Sequence, residues 1–182
     1  MQEYSPVSTS INQKNKKMKQ KLWCAILFLA TSTFASAQSF VLKTWDWDDY
    51  KMEFRAPDNM VIEQNDGDGF KASNQLITLD IYPRKGENLS YDGMKNAISR
   101  WAGQTNLDYN DVNVDGNQQP FYLSNLNGYW GVAIDGKKDG FPASMLLLVD
   151  PDYPDISFYV WISYSSEYYD DAVAILKSFK PI

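Results

Sequence analysis

Downstream of residue 38 the chain alternates short apolar-rich segments with turn formers, and for most of its length the alternation has a period of two. Residues 39–46 and 50–55 read as strands and lead into the turn Ala56-Pro57-Asp58-Asn59. Residues 60–64 and 70–73 read as two more. In residues 76–82, LITLDIY, the alternation puts Ile77, Leu79 and Ile81 on one face. The period then changes. Met94, Ala97, Ile98, Trp101 and Ala102 recur at helical spacing, with Ser90 placed to cap the start and Gly103 to stop the end. A polar loop over 104–120 follows, then strand patterns at 121–124, 128–135, 143–150 and 156–164. A second helix closes the chain. Ser165 or Ser166 caps it, Ala172, Ile175, Leu176 and Phe179 form its apolar stripe, and Pro181 ends it.

Strands in hairpin succession, with two helices only, predict an α+β fold: an antiparallel sheet of about six to eight strands with two main flanking helices. At about 4.8 Å per strand and about 10 Å per helix, two helices cover roughly four strand-widths. Part of one sheet face is therefore expected to lie open, and the 104–120 loop is long enough to cover some of it.

Ahead of this domain, Lys14, Lys16, Lys17, Lys19 and Lys21 precede an apolar run over 22–30, and Ala35-Ser36-Ala37 supplies a small-x-small cleavage pattern. The pattern is that of an export signal, with Met18 as a start that gives a complete signal by itself. Residues 1–37 are then an N-terminal extension and cleaved signal, and 38–182 a single domain in the periplasm or outside the cell. The apolar run is short for a membrane span, so no stable span is expected after cleavage. Cys24 precedes the apolar run instead of ending it, and Trp23 before it suits a lipid-anchor site poorly. It is expected to leave with the signal.

Charge then shifts. The whole chain has 17 basic and 23 acidic residues; without its first 37, which hold those five lysines and Glu3, it has 12 against 22, a net charge of −10. Such a surface repels nucleic acid and anionic lipid. Histidine is absent throughout, and no cysteine follows Cys24. The commonest general base, the thiol nucleophile and the usual zinc ligands are thus missing, so no catalytic residue, metal site or cofactor is expected.

Several segments together resemble the PsbP-like family: the early hairpin MEFRAPDNMVIEQ, the strand LITLDIYPRK, the helix GMKNAISRWAG and the ending AVAILKSFKPI. The resemblance spans almost the whole domain and implies an antiparallel sheet with flanking helices. It also implies a mostly non-catalytic role in assembly, binding or chaperone-like support, with no shared active-site signature to carry over.

Three stretches invite chemistry. IEQNDGDGFK over 62–71 looks like part of a calcium loop. With Gly69 set at the loop's glycine, Asp66 and Asp68 fall on ligand positions, but Gln64 and Gln75 take the first and last anionic places. The residues 65–69 suit a tight hairpin turn tolerant of positive φ, and a turn is the expectation. In WDWDDY, Trp45 and Trp47 share one face and Asp46 and Asp48 the other. This is a core-facing pair or, alternatively, a glycan platform. In residues 156–164, Tyr159 and Trp161 occupy the face opposite the core, as a contact surface or a thinner second core. Asp150, Asp152 and Asp155 sit in a Pro-rich connection, where a carboxylate-pair hydrolase is the least favoured reading. The expected function is binding or assembly support through an envelope or secreted protein partner. Glycan binding through Trp45, Trp47, Tyr159 or Trp161 is the alternative.

Overall fold

The structure is a computed structural model that describes residues 39–182, so the export-signal reading of residues 1–37 lies outside the described residues. Strands β1 (Leu42–Trp47), β2 (Met52–Pro57), β3 (Val61–Asp66), β4 (Gly69–Ser73) and β5 (Ile77–Lys85) precede helix α1 (Met94–Thr105). Strands β6 (Phe121–Leu126), β7 (Tyr129–Lys138), β8 (Phe141–Val149) and β9 (Ile156–Tyr164) follow, then helix α2 (Tyr169–Leu176) and the short β10 (Lys180–Pro181). The α+β class is as expected, and every strand pairing between these elements is antiparallel.

The strands do not form one sheet. Seven make a sheet in the order β3-β4-β5-β9-β8-β7-β6, while β1, β2 and β10 form a separate three-stranded sheet. Side-chain parity explains the layering. Ile77, Leu79 and Ile81 of β5, Leu146 and Leu148 of β8, and Phe158, Val160 and Ile162 of β9 all point to one face. There they meet Trp47, Met52 and Phe54 of the small sheet and Ala172, Ile175 and Leu176 of α2. The other face holds a second core, in which Met94, Ile98 and Trp101 of α1 pack on Val132, Ile134, Met145, Leu147 and Tyr159. β8 serves both cores and is therefore apolar at nearly every position, as a strand covered on both sides must be.

α1 lies over β7 and β8. Beyond it the outer face of β4 and β5 carries half-buried Lys71, Ser73, Thr78, Asp80 and Tyr82. The incomplete cover expected from element widths is present, and the uncovered part is mostly polar.

Several local expectations need correction. α1 runs through Gly103 and ends at Asn106, which takes the left-handed conformation (φ 53°). The Gly93 N–H, not that of a helical residue, donates to Ser90 Oγ at 3.2 Å, one turn ahead of the helix. Pro181 does not terminate α2, because the helix stops at Leu176 and Lys180–Pro181 returns as a strand on β2, with Lys180 Nζ 2.9 Å from Glu53. At the β3–β4 hairpin, none of residues 65–69 is among those at positive φ. Asp66 closes that turn instead: its Oδ1 accepts the N–H groups of Asp68 (2.9 Å) and Gly69 (3.2 Å) and the Gln64 amide (3.0 Å). These hydrogen bonds, the Gln64 amide foremost, hold the Asp66 carboxyl below its ordinary range.

Candidate binding cleft

Of the four aromatics singled out from sequence, two are shut away. Trp47 is fully buried, its Nε1 donating to the Asp66 carbonyl at 3.1 Å and its ring 6.3 Å from that of Phe70. Tyr159 is 2% exposed, and its hydroxyl donates to Glu87 at 2.9 Å while Arg84 lies 4.4 Å over its ring. Neither offers a ring face to a ligand, which corrects their assignment as contact residues. Trp45 is half-buried against the first core, with its Nε1 on the Ala56 carbonyl at 3.3 Å. Trp161 is half-buried against the second, 6.3 Å from Trp101. The four therefore divide between opposite sides of the seven-stranded sheet and form no common platform.

What the fold does build is a cleft of about 600 Å³ beside the seven-stranded sheet. It opens where β7, β8 and β9 meet the start of α2, and the connection between α1 and β6 straps across it. Pinning of the strap begins at Asp108, whose backbone exchanges hydrogen bonds with Lys137 of β7 (2.9 and 2.7 Å). Gly136 makes this approach possible: a Cβ there would stand 2.4 Å from the Asp108 carbonyl oxygen. Farther along, Gln119 fixes the strap again. Its Nε2 donates to the carbonyls of Asn110 (2.9 Å) and Asp135 (2.8 Å), and its Oε1 accepts the Asp135 N–H.

Between these pins the strap makes a small turn. Asn113 Oδ1 accepts the N–H groups of Asp115 (3.1 Å) and Asn117 (2.9 Å), and its Nδ2 donates to Asp135 Oδ2 at 2.8 Å. From the far wall Tyr169 of α2 donates its hydroxyl to Asp115 at 2.7 Å. Tyr164 stands beside it, ring centroids 6.2 Å apart, with its hydroxyl 3.3 Å from Ser144 Oγ. Burial first, then the Asp115 hydrogen bond and the nearby carboxylates, push the Tyr169 phenol well above its usual range. Burial also raises the Tyr164 phenol, against the lowering effect of its Ser144 hydrogen bond. Both phenols therefore stay protonated and remain hydrogen-bond donors. Asp108, Lys137, Val112, Val114 and Pro142 also line it.

No family model matches the chain, and no curated protein does either. A solved structure from Bacteroides thetaiotaomicron is similar at a TM-score of 0.45 and 11% sequence identity, over 77% of this chain and 48% of that one. The present chain thus spans about half the length of that protein.

Much of the polar lining of the cleft is already engaged with the protein itself. The side chains of Asn113 and Gln119 are used in tying the strap to β7, and one oxygen of Asp135 is taken by Asn113. Among the described residues no cluster of potential metal ligands was found. Asp150, Asp152 and Asp155 lie away from the cleft in the β8–β9 connection, where Asp150 Oδ1 accepts the Asp152 N–H at 2.9 Å. Sequence patterns identified the strap as a cover but missed Asp135, Asn113, Gln119 and Tyr169 as its partners. Their proximity depends on pairings across 16 to 54 residues, which no local period encodes.

Proposed function

We propose that this chain is an exported, non-catalytic binding or assembly-support protein whose cleft receives part of an envelope or secreted partner. The observation that carries the reading is the cleft itself. Its volume is in the range of specific binding pockets, roughly 300–1,000 Å³. Its strap is fastened at both ends by the protein's own hydrogen bonds, and a wall fixed in this way lowers the ordering cost of binding. Export is supported by the basic, apolar and small-residue succession over residues 14–37. The finer fold assignment, a PsbP-like sandwich, belongs to the same proposal; an antiparallel sheet with a helix on each side is in keeping with it.

The test is quantitative capture of partners from the protein's own envelope fraction, with wild type beside Asn110→Trp. Asn110 is exposed and lines the cleft, so the substitution fills the space without touching either core. Enrichment of a discrete partner by wild type and its loss with Asn110→Trp is the expected result. Equal capture by both proteins would defeat the reading.

A glycan reading retains support elsewhere. On the uncovered sheet face Tyr82 and Trp161 each lie beside Trp101 (6.4 and 6.3 Å), and Tyr82 donates to the Asp80 carboxylate at 2.9 Å. Rings next to a hydrogen-bonding carboxylate suit a sugar. Titration of tryptophan fluorescence with a glycan panel, in wild type and Trp161→Ala, decides it: a saturable shift lost in the variant supports the glycan, and a flat response removes it.

A further inference from the structure

We infer that the cleft binds a basic peptide segment of the partner, seating an arginine or lysine side chain beside Asp135 while neighbouring apolar residues rest on Val112, Val114 and Phe141. This rests on the cleft being the binding site and adds the chemistry of its occupant.

The first ground is charge. The strap over the cleft carries Asp108, Asp111 and Asp115, and β7 contributes Asp135 from below. Glu167 and Asp170 flank the lining residues Ser166 and Tyr169 on the opposite wall. Against these stand Lys137, exposed at the cleft wall, Lys138, which lies 3.9 Å from Asp139, and Lys177, which lines the adjoining hollow with Asp115, Asp135 and Tyr169. The balance at the mouth is negative, so a cation is drawn in and an acidic partner is repelled.

The second ground is geometry. Asn113 takes Asp135 Oδ2 at 2.8 Å and so fixes the carboxylate, leaving its other oxygen without a side-chain partner among the described residues. The rings of Tyr164 and Tyr169 stand next to it, 6.2 Å apart and inclined at 50°. An anchored carboxylate beside fixed aromatic rings suits a guanidinium or ammonium group, through a charge-assisted hydrogen bond and cation–π attraction. A sugar is served less well, because the amides of Asn113 and Gln119 are already engaged.

The third ground is the rim, which tells a peptide from a small cation. Val114 is 82% exposed, Phe141 68% and Val112 51%. Val112 and Val114 edge the cleft. Phe141 adjoins the lining residue Pro142 and borders a shallow depression that shares Tyr164 with the cleft. Apolar side chains held in water around a charged hollow suit an occupant that extends beyond the hollow. A basic residue within an apolar extended segment has that form.

The experiment measures fluorescence anisotropy of three labelled peptides against the purified protein at low ionic strength. One has Leu-Arg-Leu at its centre, and the others replace the arginine with norleucine or glutamate. The arginine peptide is expected to bind about tenfold or more tighter than either, and to weaken about tenfold with Asp135→Asn and with Val114→Lys. The second variant alters a side chain that already projects into solvent, and circular dichroism checks that both variants keep the fold. Equal binding of the norleucine or glutamate peptide, or indifference to both variants, overturns the inference. Arginine ethyl ester binding as tightly as the peptide overturns it too, since the site would then be one for a small cation. The broader reading is judged separately. Envelope capture that is lost with Asn110→Trp, yet not competed by the arginine peptide, defeats this inference and leaves the binding role intact.

Discussion

The hydroxyl of Tyr169, in the first turn of α2, donates a 2.7 Å hydrogen bond to the carboxylate of Asp115, 54 residues earlier in the strap. This bond ties the two walls of the cleft to one another. Tyr169→Phe keeps the ring and removes the link. Because the bond is solvent-accessible, the global cost is expected to be about 1 kcal/mol or less. The local effect is larger: amide hydrogen exchange of residues 113–117 should rise while that of β7 stays unchanged. Unaltered exchange in the strap would mean that the bond does not hold it.

Gly136 is expected to tolerate no side chain. Its would-be Cβ meets a backbone carbonyl, that of Asp108, and not the movable end of a side chain. Gly136→Ala must lift the strap, at about 1–3 kcal/mol. Chemical denaturation should show the loss of stability, and faster exchange of the Asp108 and Lys137 amides should show where it arises.

The two tryptophans of opposite fate give a contrast. Trp47 is fully buried between the small sheet and the large one, so Trp47→Ala is expected to cost about 3–5 kcal/mol. Trp161 is half-buried and packs at the edge of the second core, so Trp161→Ala is expected to cost about 1–2 kcal/mol. Equal losses in equilibrium denaturation would show that the uncovered sheet face is as integral as the first core.

The pair Asp80 and Tyr82 predicts how stability follows pH. Burial raises the Asp80 pKa above its ordinary value, outweighing the Tyr82 hydrogen bond and the Lys71 charge. A raised carboxyl pKa contributes stability that is fully present below the unfolded value and is lost as pH rises through the folded one. Asp80→Asn keeps an acceptor for the tyrosine, so the variant should melt higher than wild type at neutral pH, and the difference should vanish in acid. Burial, then Asp80, pushes Tyr82 up to about 12 from 10.0. Its contribution is present below pH 10 and is lost between about 10 and 12. Wild type melting above Asp80→Asn at neutral pH would contradict this account.

The parts of this fold that were legible in the sequence are those that side-chain period dictates. The β5 triplet Ile77, Leu79 and Ile81 and the α1 stripe from Met94 to Ala102 are buried where alternation and helical spacing put them. The two-faced reading of β9 also fits, since Tyr159 and Trp161 belong to a thinner second core. What could not be read is which strands pair. Nothing local in Leu42–Pro57 signals that this hairpin leaves the main sheet, or that Lys180–Pro181 pairs beside β2. Helix ends were misplaced for a similar reason. Gly103 lies in the helix with nothing within 4 Å of its missing Cβ, and the chain turns only at Asn106, where Leu107 is needed as a buried contact. The cleft fell in the same blind spot, because Asp135 reads from sequence as no more than the polar end of a strand.

The pairing of Lys180–Pro181 with Met52–Glu53, extended by the Ile182 N–H on the Lys51 carbonyl at 2.8 Å, also sets a timetable. The opening hairpin must wait for more than a hundred further residues before its third strand exists, and Phe179, fully buried between the sheets, arrives with that strand. A chain made from its N-terminal side onward therefore holds this sheet unfinished until residues 179–182 are in place. Late closure of this kind makes Phe179 and the strand after it the latch of the small sheet.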